Sequence, residues 1–204
     1  MGSNMASVKH IDPSIIFIEK KCMVGYTYMP SNNYTADRNE RIIAHKNTAK
    51  KELLAKYKLP KSTRYISCID LHDSKTRDFV IQGLADLGVA VFITGKTLSK
   101  SPLIKSVHDF DTEFLEWCDF LVSDSHTSPA RITACILAGI IPVVPKNTPF
   151  KWMFSQFDPM QFTGNSFVYD GGQYQIFASV VALLENMKFP ADREILLKNV
   201  VKTL

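Results

Sequence analysis

The sequence predicts an α/β fold, a parallel sheet covered by helices on both faces. Three observations point there. Short apolar runs alternate with helix-like stretches from about residue 60 onward. The runs are almost continuously apolar, as strands buried on both faces are. The chain has 204 residues, 46% apolar and 22% charged, enough for one core of ordinary size.

Each element follows from local pattern. Residues 1–7 read as residues added for expression rather than a signal peptide, because no apolar signal core follows them. Residues 8–60 read as an N-terminal segment with two apolar runs, Ile15–Ile18 and Met23–Tyr28, then a long polar helix from Ala36 to Leu59. The runs fit either two strands or an extended arm. Pro60 ends the helix. Residues 61–204 read as one Rossmann-like domain.

Within that domain Tyr65–Ile69 is the first strand. Ser74–Leu87 is a helix with Ser74 as its cap, Phe79, Ile81, Leu84 and Leu87 inward, and Gly88 as its stop. Val89–Ile93 is the second strand and Thr94–Val107 a loop. A short helix capped by Asp111 runs to Trp117, and Phe120–Val122 is the third strand. Ser128 caps a helix that begins at Pro129 and stops at Gly139. Ile140–Val144 and Phe167–Tyr169 are further strands, and Lys151–Phe157 reads as helical. Gln173–Met187 and Asp192–Val201 are closing helices.

Ligands in such sheets bind beyond the carboxyl ends of the strands. That directs attention to the loops at Asp70–Ser74, Thr94–Lys100, Ser123–Ser128 and Pro145–Phe150. The start of the Pro129 helix offers free N–H groups and partial positive charge, which suit a phosphate. Thr127 and Ser128 add hydroxyls. Arg131 lies in the first turn, where a cation is unfavourable unless an anion faces it. Either a phosphate or a nearby carboxylate such as Asp124 would supply that anion. Lys75 and Arg77 repeat the pattern at the other helix start. Together with Thr127, Ser128, Arg131 and His126 they suggest a polyphosphate site, with His72, Asp124 and Lys96 as additional candidates.

Other classes lack their signatures. G-x-G-x-x-G, the P-loop and G-x-S-x-G are all absent. Cys22, Cys68, Cys118 and Cys135 are far apart, and no His, Cys and carboxylate set has zinc spacing. Buried free thiols suit a reducing, cytoplasmic setting. The +4 net charge, with a pI of about 8.8, fits an anionic ligand without indicating nucleic acid. No apolar run is long enough to span a membrane. Trp117 and Trp152 read as core or interface residues.

From about Leu59 to Leu204 the chain resembles the C-terminal, donor-binding Rossmann domain of GT-B glycosyltransferases. Lys75–Leu84 resembles that family's lysine-glycine helix, with Thr76 in place of the usual glycine. Trp117–Ser125 is similar to its segment of aspartate, apolar strand and serine. Ser128-Pro129-Ala130-Arg131-Ile132, followed by Ala138–Val144, is similar to the exostosin-like branch. The two glutamates of many retaining members are replaced by His126 and Ala134, and Asp70 stands where an arginine often sits.

The resemblance implies a nucleotide sugar as substrate, no cofactor and no metal, with Lys75 and Arg131 neutralising the diphosphate and His126 near sugar or phosphate. Transfer to an acceptor hydroxyl would then need the missing N-terminal acceptor domain, a partner chain or a homo-oligomer. The catalytic residues stay unassigned. Two other readings stand beside it. One is an enzyme cleaving an N-glycosidic bond in a nucleoside or NAD-like ligand, using Asp124 or Glu113. The other is a non-catalytic nucleotide-binding module.

Overall fold

The computed structural model describes Arg41, Lys46 and residues 48–203. All lie in the second of the two units into which the chain divides, Met1–Asn33 and Tyr34–Leu204. The N-terminal runs Ile15–Ile18 and Met23–Tyr28, and Cys22, fall outside the described residues.

Six strands form one parallel sheet. They are β1 (Ile66–Asp70), β2 (Ala90–Thr94), β3 (Ile104–Val107), β4 (Phe120–Ser123), β5 (Ile141–Pro145) and β6 (Phe167–Tyr169), in the order β3-β2-β1-β4-β5-β6. Each neighbouring pair is parallel. The helices are α1 (residues 48–56), α2 (Ser74–Asp86), α3 (Thr112–Trp117), α4 (Pro129–Leu137), α5 (Gln173–Met187) and α6 (Pro190–Val201).

The apolar runs explain the layers. Every residue of β1 and β4 is buried, so helices must cover both faces. On one face α2 packs against α5. On the other α4 packs against α3 and α6. Tyr57, just past α1, meets Phe92 of β2 edge to face, and Phe92 in turn meets Phe114 of α3 at 4.8 Å. Leu53 of α1 is fully buried, so α1 shares this core. No helix among the described residues is long and apolar enough to cross a membrane.

Several details differ from the sequence reading. The region Thr94–Val107 holds a strand, β3. Its sequence Ile-Lys-Ser-Val buries only Ile104, because β3 is the edge of the sheet, so no apolar run marks it. In α2 the inward face is Val80, Ile81, Leu84 and Ala85, while Phe79 and Leu87 are exposed. Lys151–Phe157 forms only a short 3-10 turn at Lys151–Met153. Trp152 lies on the surface, whereas Trp117 is buried. The final helix starts two residues early, at Pro190, where proline suits the first turn.

The amino edge of the sheet is held by charge. Buried Asp119 accepts the Ile66 N–H at 2.9 Å and pairs with Arg193 and Lys50. Lys46 donates to the Cys118 carbonyl. Asp119 thus stands at the opposite edge from the strand carboxyl ends and positions β4 against β1. Cys68, Cys118 and Cys135 are free and buried, and burial pushes the Cys68 thiol up.

Candidate functional site

The strand order reverses between β1 and β4. The chain runs from β1 toward β3 on one side and from β4 toward β6 on the other. This leaves a crevice beyond their carboxyl ends, the usual ligand position in such sheets. Two loops form it, Leu71–Asp73 after β1 and Asp124–Ser128 after β4. The helices that follow, α2 and α4, lie on opposite faces, so their starts flank the crevice.

Asp124 joins the two loops. Its carboxylate accepts the backbone N–H of His72 at 2.7 Å and that of His126 at 2.8 Å. It also faces Nδ1 of His72 at 3.0 Å. The two imidazoles lie side by side, with ring centroids 5.2 Å apart. Thr127 is buried, and its hydroxyl donates to the Asp70 carbonyl at 3.2 Å. That hydroxyl therefore ties β1 to the β4 loop.

The α4 start is built as its sequence suggests. Ser128 caps it, accepting the Arg131 N–H at 3.3 Å, and Pro129 occupies the first turn. No acidic residue stands in that turn. The guanidinium of Arg131 does not pair with Asp124. It pairs with Asp70 at 3.1 Å and Asp109 at 2.9 Å, and lies over the Phe110 ring. The reason is topological. Asp70 ends the strand beside β4, and Asp109 follows β3, so both reach the α4 start while Asp124 is drawn toward His72.

The α2 start differs from expectation. Its cap is Asp73, which accepts the Thr76 N–H at 2.8 Å, so Ser74 is the first helical residue. An aspartate caps as well as serine and also brings an anion to the positive end of the helix. The Thr76 side chain and its N–H hold the Asp73 carboxyl below its ordinary value. Lys75 is exposed at this start. Arg77 turns toward the β2 loop, donating to the Lys96 carbonyl at 3.0 Å. Arg77 therefore contacts the Lys96 backbone, and among the described residues no hydrogen bond or ion pair joins either residue to the histidines.

The crevice thus collects Asp70, His72, Asp124, His126, Ser128 and Arg131, with Lys75 near its rim. Asp109 is a member that spacing did not reveal. It is exposed, and only folding places it against Arg131, 22 residues away in sequence. Two cavities lie nearby. One of about 220 Å³ sits at the ends of β5 and β6, lined by Pro145, Lys146, Thr148 and Lys151. Another of about 430 Å³ follows β3, lined by His108, Asp109, Asp111 and Trp117. Glu113's side chain lies outside the described residues.

No protein-family model and no curated protein matches the chain. Solved structures do match its fold. The catalytic domain of starch synthase IV from Arabidopsis thaliana, bound to ADP and acarbose, is 14% identical with a TM-score of 0.60. It covers 76% of this chain and 38% of its own. HepE from Anabaena, in complex with UDP and glucose, is 15% identical with a TM-score of 0.56, over 76% of this chain and 46% of that one. The chain therefore spans less than half the length of either structure. The fold is a GT-B-like Rossmann half.

Proposed function

We propose that this domain binds a nucleoside diphosphate, as part of a nucleotide sugar, in the crevice between β1 and β4. The observation that carries the reading is the α4 start. A capped helix N-terminus with no acidic residue in its first turn opens on the point where the strand order reverses. The bound ADP and UDP of the two structural neighbours support the same class of ligand.

Arg131 is the main phosphate contact in this proposal. Asp70 is nearly buried and keeps its pair, while the exposed Asp109 gives way to a phosphate oxygen. Lys75 adds charge from the α2 side, and His126, whose ring is largely exposed, reaches the phosphate or sugar. Ser128 and Thr127 fix the loop. The exostosin-like branch rests only on the sequence pattern of Ser128–Ile132 followed by Ala138–Val144.

Sugar transfer to an acceptor hydroxyl is the activity proposed for the assembled enzyme. The acceptor side would come from a second domain, a partner chain or a second copy. Cytoplasmic placement belongs to the same proposal, as does the absence of a cofactor from the reaction. One observation favours a binding module instead. His126 and Ala134 stand where many retaining members of the resembled family carry glutamates, so no ribose carboxylate comes from those positions.

A thermal-shift screen against UDP, ADP, GDP, their sugars and NAD tests the reading. A rise in Tm with at least one nucleoside diphosphate is expected. No rise with any of them would overturn it. Release of free base from NAD or a nucleoside would favour N-glycosidic cleavage, and binding without turnover would favour a binding module.

A further inference from the structure

We propose that His72, Asp124 and His126 form a three-ligand site for a divalent first-row transition-metal ion. One donor atom from each lies within 4.8 Å of the other two. Nδ1 of His72 is 3.0 Å from Oδ1 of Asp124, and Nδ1 of His126 is 3.6 Å from the same oxygen. Donors around a tetrahedral ion bound at 2.0–2.1 Å stand about 3.4 Å apart. Two of the three spacings already bracket that value. The His72–His126 spacing closes by rotation of the His126 ring, whose side chain is 72% exposed.

The carboxylate is preorganised for the role. The N–H groups of His72 and His126 each hold one of its oxygens, which orients it as outer hydrogen bonds orient metal ligands. A carboxylate has about four acceptor positions, so both oxygens keep one toward an ion. Asp124 is 19% exposed and both imidazoles are more than half exposed, so an ion enters without rearrangement of the core. Two imidazoles and one carboxylate suit zinc, cobalt or nickel, whereas magnesium and calcium prefer all-oxygen sites. Three protein ligands leave a coordination position open to water or to an anion in the crevice.

A bland alternative explains part of the geometry. Asp124 would simply clip the β1 and β4 loops together. That clip uses the His72 ring and both N–H groups, but it does not need the His126 ring. Metal binding does. His126→Ala keeps its backbone N–H to Asp124, so it separates the two.

The full chain, stripped with a chelator and desalted, would be titrated with Co²⁺ and followed by visible d–d absorption. Zn²⁺ would be measured against a chromophoric chelator. One saturable equivalent is expected for wild type, with no comparable binding of Mg²⁺. His126→Ala and His72→Ala should each weaken Zn²⁺ by about 10–100-fold, while the thermal unfolding of His126→Ala stays unchanged. No binding by wild type, or unchanged affinity in His126→Ala or in His72→Ala, would overturn the site. The titration uses metal alone, so its outcome is independent of whether a nucleotide binds.

Discussion

The Arg131 ion pairs differ in a way that a double-mutant cycle measures. Asp70 has a side chain 9% exposed and lies 3.1 Å from Arg131. Asp109 is closer, at 2.9 Å, but its side chain is 61% exposed. Distance alone would rank Asp109 first. Solvent reverses the order, because an exposed pair contributes only about 0.2–1 kcal/mol. An ion pair with a nearly buried partner is screened less by solvent and salt, so it couples more strongly than an exposed one. Arg131 is itself 25% exposed, so the Asp70 coupling is expected just above the exposed range, at more than about 1 kcal/mol. Urea unfolding of wild type, Arg131→Ala, Asp70→Ala and the double variant gives this coupling directly. The same cycle with Asp109→Ala should give less than about 1 kcal/mol. Tryptophan fluorescence reports the transition, since Trp117 is buried. A coupling to Asp109 equal to or larger than that to Asp70 would refute the view that burial decides which pair holds Arg131.

Other parts of the structure give further expectations. Gly164 has φ +84°, and a Cβ there would overlap the Gln156 carbonyl oxygen. Gly164→Ala should therefore cost about 3 kcal/mol in urea unfolding, and an unchanged midpoint would show that the backbones do not approach so closely. The Asp73 cap gives a pH dependence. Its folded carboxyl lies below the ordinary value of 3.8, so its stabilisation is full above that pH and is lost as acid titrates the folded carboxyl. Asp73→Asn still caps α2, yet should flatten that part of the Tm profile below pH 3.8. A profile identical to wild type there would remove Asp73 as the source.

Most of the fold is visible in the sequence because burial on both faces writes itself as continuous apolar runs. Cys68, Val91, Leu121 and Val143 each lie in such a run, and each is a buried strand residue. β3 escapes because an edge strand with one buried residue has nothing to repeat. The α4 cap was readable, since Ser-Pro is a local signal. At α2 two neighbouring residues both cap well, and the choice of Asp73 over Ser74 depends on where β1 ends. The site was readable only as separate loops. Asp124 and His72 are 52 residues apart, and no spacing rule links them. The Arg131 partners are invisible for the same reason. Asp70 becomes a neighbour only once β1 and β4 pair, in the register Asp70 to Ser123.

Calorimetric titration of the full chain with a nucleoside, its monophosphate and its diphosphate tests the proposed phosphate site most directly. Uridine and adenosine each supply such a series. Affinity is expected to rise with each phosphate. The diphosphate should bind at least about tenfold more tightly than the nucleoside, and Arg131→Ala should lose about 1.5–3 kcal/mol of that binding. Equal affinity for nucleoside and diphosphate, or no heat from any of them, would contradict a phosphate site at the start of α4.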